Sequence, residues 1–243
     1  MYRHIKEYEF KYIDADVYDN VKPSALFAVL QESACISADE LGFGYEVIQP
    51  KGIGFIIANW YLELYRKIGF GEKITVHTWP IKPKHLIFLR DFELYSGDEK
   101  IGVATSRWCM VDLNKFVFLP MTAVFEPNFF DNYNTQRCIE FTDWKIPNVD
   151  LETPVYSRQL KYNDCDHYFH VNNTKYPDFL LDVFSTQEFK DKWISSLQIT
   201  YVKQCKEGEV LNIYRRDFEG YSIVEGRVEG ETRVQMKVKF NGV

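Results

Sequence analysis

Residues 161–176, "KYNDCDHYFHVNNTKY", set Asp164, Cys165, Asp166, His167 and His170 within one short run. Such a run fits a metal site, an acid–base centre or a polar turn before a helix. As a metal site it offers two ligands, Asp166 or His167 with His170, whereas a zinc site needs three or four protein ligands. His4, His77 and His85 are scattered along the first half and form no second cluster. No metal and no cofactor is expected. As an acid–base centre the run is better equipped. An imidazole titrates near neutrality, so His170 can accept a proton there. Asp166, four residues earlier, could hold the other ring nitrogen in one tautomer. The segment after it, "VNNTKY", begins a predicted helix whose free N–H groups, near Asn172 and Asn173, suit a developing oxyanion.

A second stretch limits what is special about this one. "KYIDADVYDNV" (11–21) aligns without a gap with "KYNDCDHYFHV" (161–171), six of eleven positions being identical. Another pair, "RKIGFGEKI" (66–74) and "KQCKEGEVL" (203–211), aligns at an offset of 137 instead of 150, so the second copy is shorter between its blocks. Asp14, Asp16 and Tyr18 recur as Asp164, Asp166 and Tyr168, so these residues need only a structural reason. Asn20 stands where His170 stands. The histidine is what the second copy has in addition, and one active site in the second half follows.

The elements around both blocks read alike. In copy one Pro23 suits a first helical turn, Phe27, Leu30, Ala34, Ala38 and Leu41 recur near helical spacing, and Gly42 and Gly44 stop the helix. In copy two Asn172 or Asn173 can cap a helix carrying Tyr176, Leu180, Val183 and Phe184. Four strand-like runs follow each helix: "NWYLELY", "KITVHTW", "HLIFLRDFELY" and "GVATSRWCMVDL", then "SLQITYV", "EVLNIYRRDF", "SIVEGRV" and "RVQMKVKF". One long helix and a meander, twice, is α+β. This order resembles the hotdog fold, a curved antiparallel sheet wrapped around a long helix. Two tandem hotdog domains are expected, at 1–130 and 154–243, joined by a linker over 131–153 that begins near "PNFFDNYNTQ" (127–136).

Composition excludes several classes. Among 243 residues, 46% are hydrophobic, 26% charged and 16% aromatic, with 19 Phe and 16 Tyr, which suits a sheet-rich globular protein. A net charge of −6 gives no blanket attraction to nucleic acid. The longest apolar run, "GIGFIIANWYL" (52–62), is too short to span a membrane. Five cysteines with no CxxC pair, and an N-terminus without an apolar signal core, point to the cytoplasm.

"TWPIKPKHLIFLRDFELYSGDEKIGVATSRWCMVDL" (78–113) resembles the first hotdog of bacterial and plant acyl-acyl carrier protein (acyl-ACP) thioesterases. The likeness lies in its TW, its RDFE-like strand, and AT-S-x-W followed by Asp. "DCDHYFHVNNTKY" (164–176) resembles that family's second-hotdog motif, D-x-D-x-N-x-H-V-N-N-x-x-Y. The resemblance implies hydrolysis of a fatty acyl-ACP thioester in fatty acid biosynthesis, with acyl carrier protein as partner. It makes His170 the catalytic histidine and Asp166 the motif aspartate. Cys205 falls where plant members carry a cysteine implicated in catalysis, and the first hotdog would shape the acyl pocket. Two positions depart: Tyr168 replaces Asn, and Gln204 replaces the Glu usual before the cysteine.

Alternatives stay open at this point. Tyr168 is a buried structural tyrosine, matching Tyr18, or a hydroxyl donor in place of the missing Asn. Cys205, aligned with Ile68, is a small buried hydrophobe or a thiolate nucleophile activated by His170. Gln204 cannot act as a base, which leaves Cys205 attacking directly or His170 activating water. Other readings are an acyl-CoA thioesterase and a non-catalytic acyl-binding protein. Docking of an acidic carrier protein would need a local basic face, such as Lys82 and Lys84, Lys203 and Lys206, or Arg215 and Arg216. The internal repeat makes a monomer sufficient and leaves a homodimer open.

Overall fold

The computed structural model describes residues 2–126, 128–131 and 133–242, so Pro127 and Asn132 of the expected linker lie outside the described residues. Contacts divide the chain into two compact units that do not follow sequence order. One comprises 1–9, 28–62 and 72–141; the other comprises 10–27, 63–71 and 142–243. Both copies of the repeated turn, 11–21 and 161–171, therefore belong to the second unit.

The first unit is built on strands β1 (His4–Glu9), β2 (Ile53–Leu64), β3 (Lys73–Pro80), β4 (Ile87–Ser96), β5 (Glu99–Asp112) and β6 (Val117–Leu119). Their order is β1-β3-β4-β5-β2, with β6 paired to β5. Helix α1 (Pro23–Glu40) runs eighteen residues, with Pro23 at its start, and Gly42 just beyond it takes the left-handed φ of 78°. Phe27, Leu30 and Ala34 are buried along its stripe, the first two each contributing about 1.5–3 kcal/mol relative to exposure. The high aromatic content has a use here. Phe43, at the end of the chain segment leaving α1, meets Phe55, Phe125, Phe129, Phe130 and Tyr133 edge-on or tilted. A short helix, α2 (Tyr45–Ile48), and a 3-10 turn (Gln49–Lys51) link this cluster to β2.

The second unit repeats the order. Strands β7 (Tyr156–Gln159), β8 (Lys192–Tyr201), β9 (Val210–Phe218), β10 (Tyr221–Val228) and β11 (Glu231–Gly242) run β7-β9-β10-β11-β8. Register is repeated as well: Glu9 lies opposite Lys73, and Gln159 opposite Val210. These pairs obey the offsets of 150 and 137 found in the sequence. Gly71 and Gly208, one turn before β3 and β9, both take the left-handed φ their turns require, 74° and 88°. The fold is the hotdog, present twice.

Two features differ from expectation. Each meander has a further strand, β1 or β7, ahead of the helix. "HIKEYE" and "YSRQ" alternate buried or half-buried with exposed positions and carry charge, as sheet-edge strands do, which hides them from a search for apolar runs. Among the described residues the second half has no long helix. After a 3-10 turn (Asn173–Lys175) come only α3 (Tyr176–Leu181) and α4 (Thr186–Phe189). Ser185 is extended and opens a capping box with Glu188, its N–H donating to that carboxylate at 2.8 Å, which starts a new helix instead of continuing α3. The eighteen residues of α1 against three in the 3-10 turn and six in α3 account for most of the shorter spacing in copy two. Tyr176, Leu180, Val183 and Phe184 are buried as the stripe requires.

Residues 143–151 of the connecting segment are strapped onto the second sheet by polar side chains. Fully buried Glu225 accepts from Val149 N–H at 2.7 Å, from Arg227 at 2.7 Å and from Thr232 at 2.7 Å. Arg227 in turn donates to the carbonyls of Val149 and Leu151. Burial works to raise the Glu225 carboxyl, but Arg227, the Val149 N–H and Thr232 hold it below the usual range. A depressed folded-state pKa adds stability above the unfolded value, near 4.5, that is lost as pH falls through the folded one. Replacing Glu225 by Ala should cost about 3–5 kcal/mol at pH 7 in denaturant unfolding, because it strands a buried guanidinium. Glu225→Gln should reduce the loss of stability between pH 5 and pH 3 relative to wild type.

Candidate functional site

Both copies of the repeated turn are closed by the same hydrogen bonds. Lys161 N–H donates to Asp164 Oδ2 at 2.9 Å, and Lys11 N–H to Asp14 Oδ2 at 2.7 Å. Asp166 N–H donates to the His170 carbonyl at 2.9 Å, and Asp16 N–H to that of Asn20 at 2.8 Å. The Asp166 carboxylate accepts from Tyr168 N–H at 2.9 Å, as Asp16 does from Tyr18 N–H at 2.8 Å. This is the Asx geometry in which an aspartate side chain substitutes for a backbone turn. Phe169 and Asp19 take the left-handed φ values, 61° and 58°, that complete the reversal. Finally, Val171 N–H donates to the Cys205 carbonyl and Val21 N–H to the Ile68 carbonyl, both at 2.9 Å. Conformation is common to the two turns; the residue at 20 or 170 is not.

In the first turn Asn20 stays with its own aspartate, its backbone N–H 2.9 Å from Asp16 Oδ1. His170 behaves differently. It is half-buried, and its Nδ1 is buried without a hydrogen-bond partner among the described residues. Asp166 therefore does not hold the ring as a triad aspartate would, because its carboxylate is spent on the backbone of the turn. It acts on His170 through charge alone. Desolvation lowers the His170 pKa most, Lys206 lowers it further, and Asp166 and Glu209 oppose both. The net direction is down, so the ring is neutral, and can accept a proton, at neutral pH.

Cys205 is fully buried. Burial raises its thiol pKa, the Tyr176 hydroxyl bonded to it works the other way, and Glu209 and Arg233 act in opposite directions. His170 is not among the groups that tune it. A protonated, enclosed thiol is a packing residue, like buried Ile68 at the equivalent place. Gln204 is exposed. Tyr168 is 42% exposed, which corrects the buried reading; its ring lies 4.1 Å from that of His167. Tyr18, its counterpart, donates its hydroxyl to the Thr186 carbonyl at 3.0 Å. Asn172 caps the 3-10 turn, its Oδ1 accepting from Thr174 N–H at 3.0 Å and from the Thr174 hydroxyl at 2.7 Å. The Asn173 carbonyl accepts from Tyr201 at 2.9 Å. One of the N–H groups expected to face an oxyanion is thus already satisfied by the cap.

Glu209 is the residue that sequence reasoning passed over. It accepts from Lys206 N–H at 2.7 Å and acts on both His170 and Cys205. Its signal was present in the Gly-Glu pair shared by the two repeat blocks. Of the basic candidates, Lys82 pairs with Asp131, Lys203 with Glu231, and Arg215 with Glu188 and Asp217. Lys206 and Arg216 form no ion pair among the described residues. There, too, no group of three or more His, Cys, Asp or Glu is placed to hold a metal, and no helix is long and apolar enough to cross a membrane.

Residues 1–122 match the acyl-ACP thioesterase N-terminal domain, and residues 152–241 match the C-terminal domain of the same enzymes. The chain belongs to the acyl-ACP thioesterase family. An acyl-ACP thioesterase from Bacteroides thetaiotaomicron has 25% sequence identity and a TM-score of 0.88 over 98% of both chains. A 12:0-ACP thioesterase from Umbellularia californica shares the fold at 17% identity, with a TM-score of 0.84 over 99% of this chain and 98% of that one. A chloroplastic acyl-[acyl-carrier-protein] hydrolase of Cuphea viscosissima is 26% identical over 80% of this chain and 48% of its own length. The Arabidopsis thaliana oleoyl-acyl carrier protein thioesterase 1 is 23% identical over 76% of this chain and 55% of its own. The chain thus spans about half the length of these curated relatives.

The electrostatics at His170 have a direct readout. In a nuclear magnetic resonance titration the imidazole should titrate below the unperturbed 6.5. Lys206→Gln should move its midpoint up and Glu209→Gln should move it down.

Proposed function

We propose that this protein hydrolyses the thioester joining a fatty acyl chain to the phosphopantetheine arm of acyl carrier protein, releasing the free fatty acid. The observation that carries the reading is the contrast between two turns of one conformation, only one of which bears a base. His170 takes a proton from water as its oxygen bonds to the thioester carbonyl carbon. The tetrahedral oxyanion then collapses, the C–S bond breaks, and the carrier thiolate leaves with the proton returned from the imidazolium. Asp166 shapes the turn and favours that imidazolium by its charge. Tyr168, two residues from His170, stands where the family motif has Asn, and its hydroxyl is the proposed donor to the carbonyl oxygen.

Water is preferred to Cys205 as nucleophile because a thioester is already activated and the thiol is enclosed and protonated. The family membership supports acyl carrier protein as partner; Lys206 and Arg216 are its proposed docking cations, and the internal repeat makes a monomer sufficient while leaving a homodimer open. A cytoplasmic site of action in fatty acid biosynthesis is part of the same proposal, supported by five unpaired thiols.

His170→Ala should lower kcat by about 10²–10⁴-fold, the usual loss of a general base, with acyl-ACP as substrate. Cys205→Ala should stay within a few-fold of wild type, and mass spectrometry of quenched reactions should find no acyl adduct on Cys205. Near-normal turnover by His170→Ala removes the histidine from the reaction. Faster cleavage of acyl-CoA than of the matching acyl-ACP reassigns the carrier. Acyl-ACP binding without release of fatty acid makes the protein a binding module.

A further inference from the structure

Phe169 stands immediately before His170, and its side chain is at odds with its place in two ways. Its φ of 61° lies in the left-handed region, where a bulky aromatic residue is strained. Its ring is 84% exposed, which leaves a large apolar surface in water. The first copy of the turn shows that the fold requires neither. Asp19 holds the same place at a φ of 58°, and aspartate is among the residues that tolerate this conformation. Tyr162, by contrast, is matched by an exposed Tyr12 in the first turn, so its exposure belongs to the turn itself. Backbone strain that the fold does not demand marks a position held for function.

The location limits what that function can be. Consecutive Cα atoms lie about 3.8 Å apart, so the Phe169 ring can reach only what comes close to His170. The two side chains divide between interior and solvent. His170 is half-buried with its Nδ1 enclosed, and Phe169 projects outward from a backbone whose N–H is fixed on the Asp166 carbonyl at 3.0 Å. A folded carrier protein cannot enter the domain, so the atoms on the sulfur side of a thioester held at His170 run out toward solvent, on the side of Phe169. The first of these atoms are two methylenes and a secondary amide of the pantetheine arm. A flat aromatic face suits both, by apolar contact with the methylenes and by stacking on the amide plane. The carrier body lies a whole arm further away.

We propose that Phe169 is a substrate-positioning residue whose ring packs against the sulfur-proximal end of the pantetheine arm, its two methylenes and first amide. The proposal rests on the thioesterase reading of His170 and deepens it by naming the part of the substrate that is held. Aromatic ring and base occur together: the first turn has Asp19 and Asn20, the second Phe169 and His170. The contact forms with the bound substrate and persists through the reaction, so it lowers KM more than it raises kcat.

The test compares the full chain with Phe169→Asn, whose neutral side chain suits a left-handed φ, and Phe169→Tyr, which keeps the ring. Kinetics are measured on acyl-ACP and on the N-acetylcysteamine and S-ethyl thioesters of the same acyl chain. The N-acetylcysteamine thioester keeps both methylenes and the amide, whereas the S-ethyl thioester has no amide. Phe169→Asn should lower kcat/KM about tenfold for acyl-ACP and the N-acetylcysteamine thioester, mostly through KM, and by less than about twofold for the S-ethyl thioester. Phe169→Tyr should stay near wild type on all three. The Tm of Phe169→Asn should equal or exceed that of wild type, because the strain is relieved. Calorimetric titration with S-octyl pantetheine, a thioether that cannot be hydrolysed, should show binding weakened about tenfold in Phe169→Asn. A wild type that binds this thioether but cleaves none of the thioesters sinks the hydrolase reading, and the titration alone then decides for or against Phe169. The proposal is overturned by equal losses on all three thioesters, by a loss confined to acyl-ACP, by unchanged kinetics, by a lowered Tm, or by Phe169→Asn binding the thioether like wild type.

Discussion

The hydrogen bond from Val171 N–H to the Cys205 carbonyl is the constraint on which the geometry around His170 depends. It pins the end of the turn that carries His170 to the segment leading into β9. It also brings Lys206 and Glu209 within electrostatic range of the imidazole. The same bond, from Val21 to Ile68, pins the turn that carries Asn20. Two positions joined in this way cannot vary freely in backbone geometry, so chemistry is free to vary only in side chains that project from the turn. Position 170 is one of those, and a neutral histidine stands there.

The aspartates show how a dense polar motif divides its labour. Asp164 closes the start of the turn and pairs with Arg158 at 2.7 Å, while Asp166 closes its middle. Neither reaches the imidazole by hydrogen bond. The charge of Asp166 still favours a protonated ring, and desolvation with Lys206 outweighs it. Keeping an imidazole neutral and raising its affinity for a proton are opposing demands, and the balance struck at His170 favours the neutral form.

Much of this was legible in the sequence because the repeat was legible. The offsets of 150 and 137 reappear as strand register, as paired left-handed glycines, and as equivalent carbonyl acceptors at Ile68 and Cys205. The contrast between Asn20 and His170 could be read for the same reason. The first helix was visible because its stripe runs five turns between Pro23 and Gly42. The second was overdrawn, since Tyr176, Leu180, Val183 and Phe184 keep a helical spacing across a break at Ser185. Edge strands β1 and β7 escaped because charge and one-sided pairing mask their period. The hydrogen bonding of Asp166 was out of reach, since an aspartate four residues before a histidine serves a turn or a ring with the same spelling. The grouping of residues 10–27 and 63–71 with the second half was equally hidden, because it follows contacts that no local pattern records.

The central claim is that one neutral imidazole, His170, is the base. Its most direct test is to follow the pH dependence of kcat/KM for acyl-ACP hydrolysis and the protonation of His170 by nuclear magnetic resonance on the same preparation. The two midpoints should coincide, below 6.5. Hydrolysis that continues undiminished while the His170 ring becomes protonated would contradict the account.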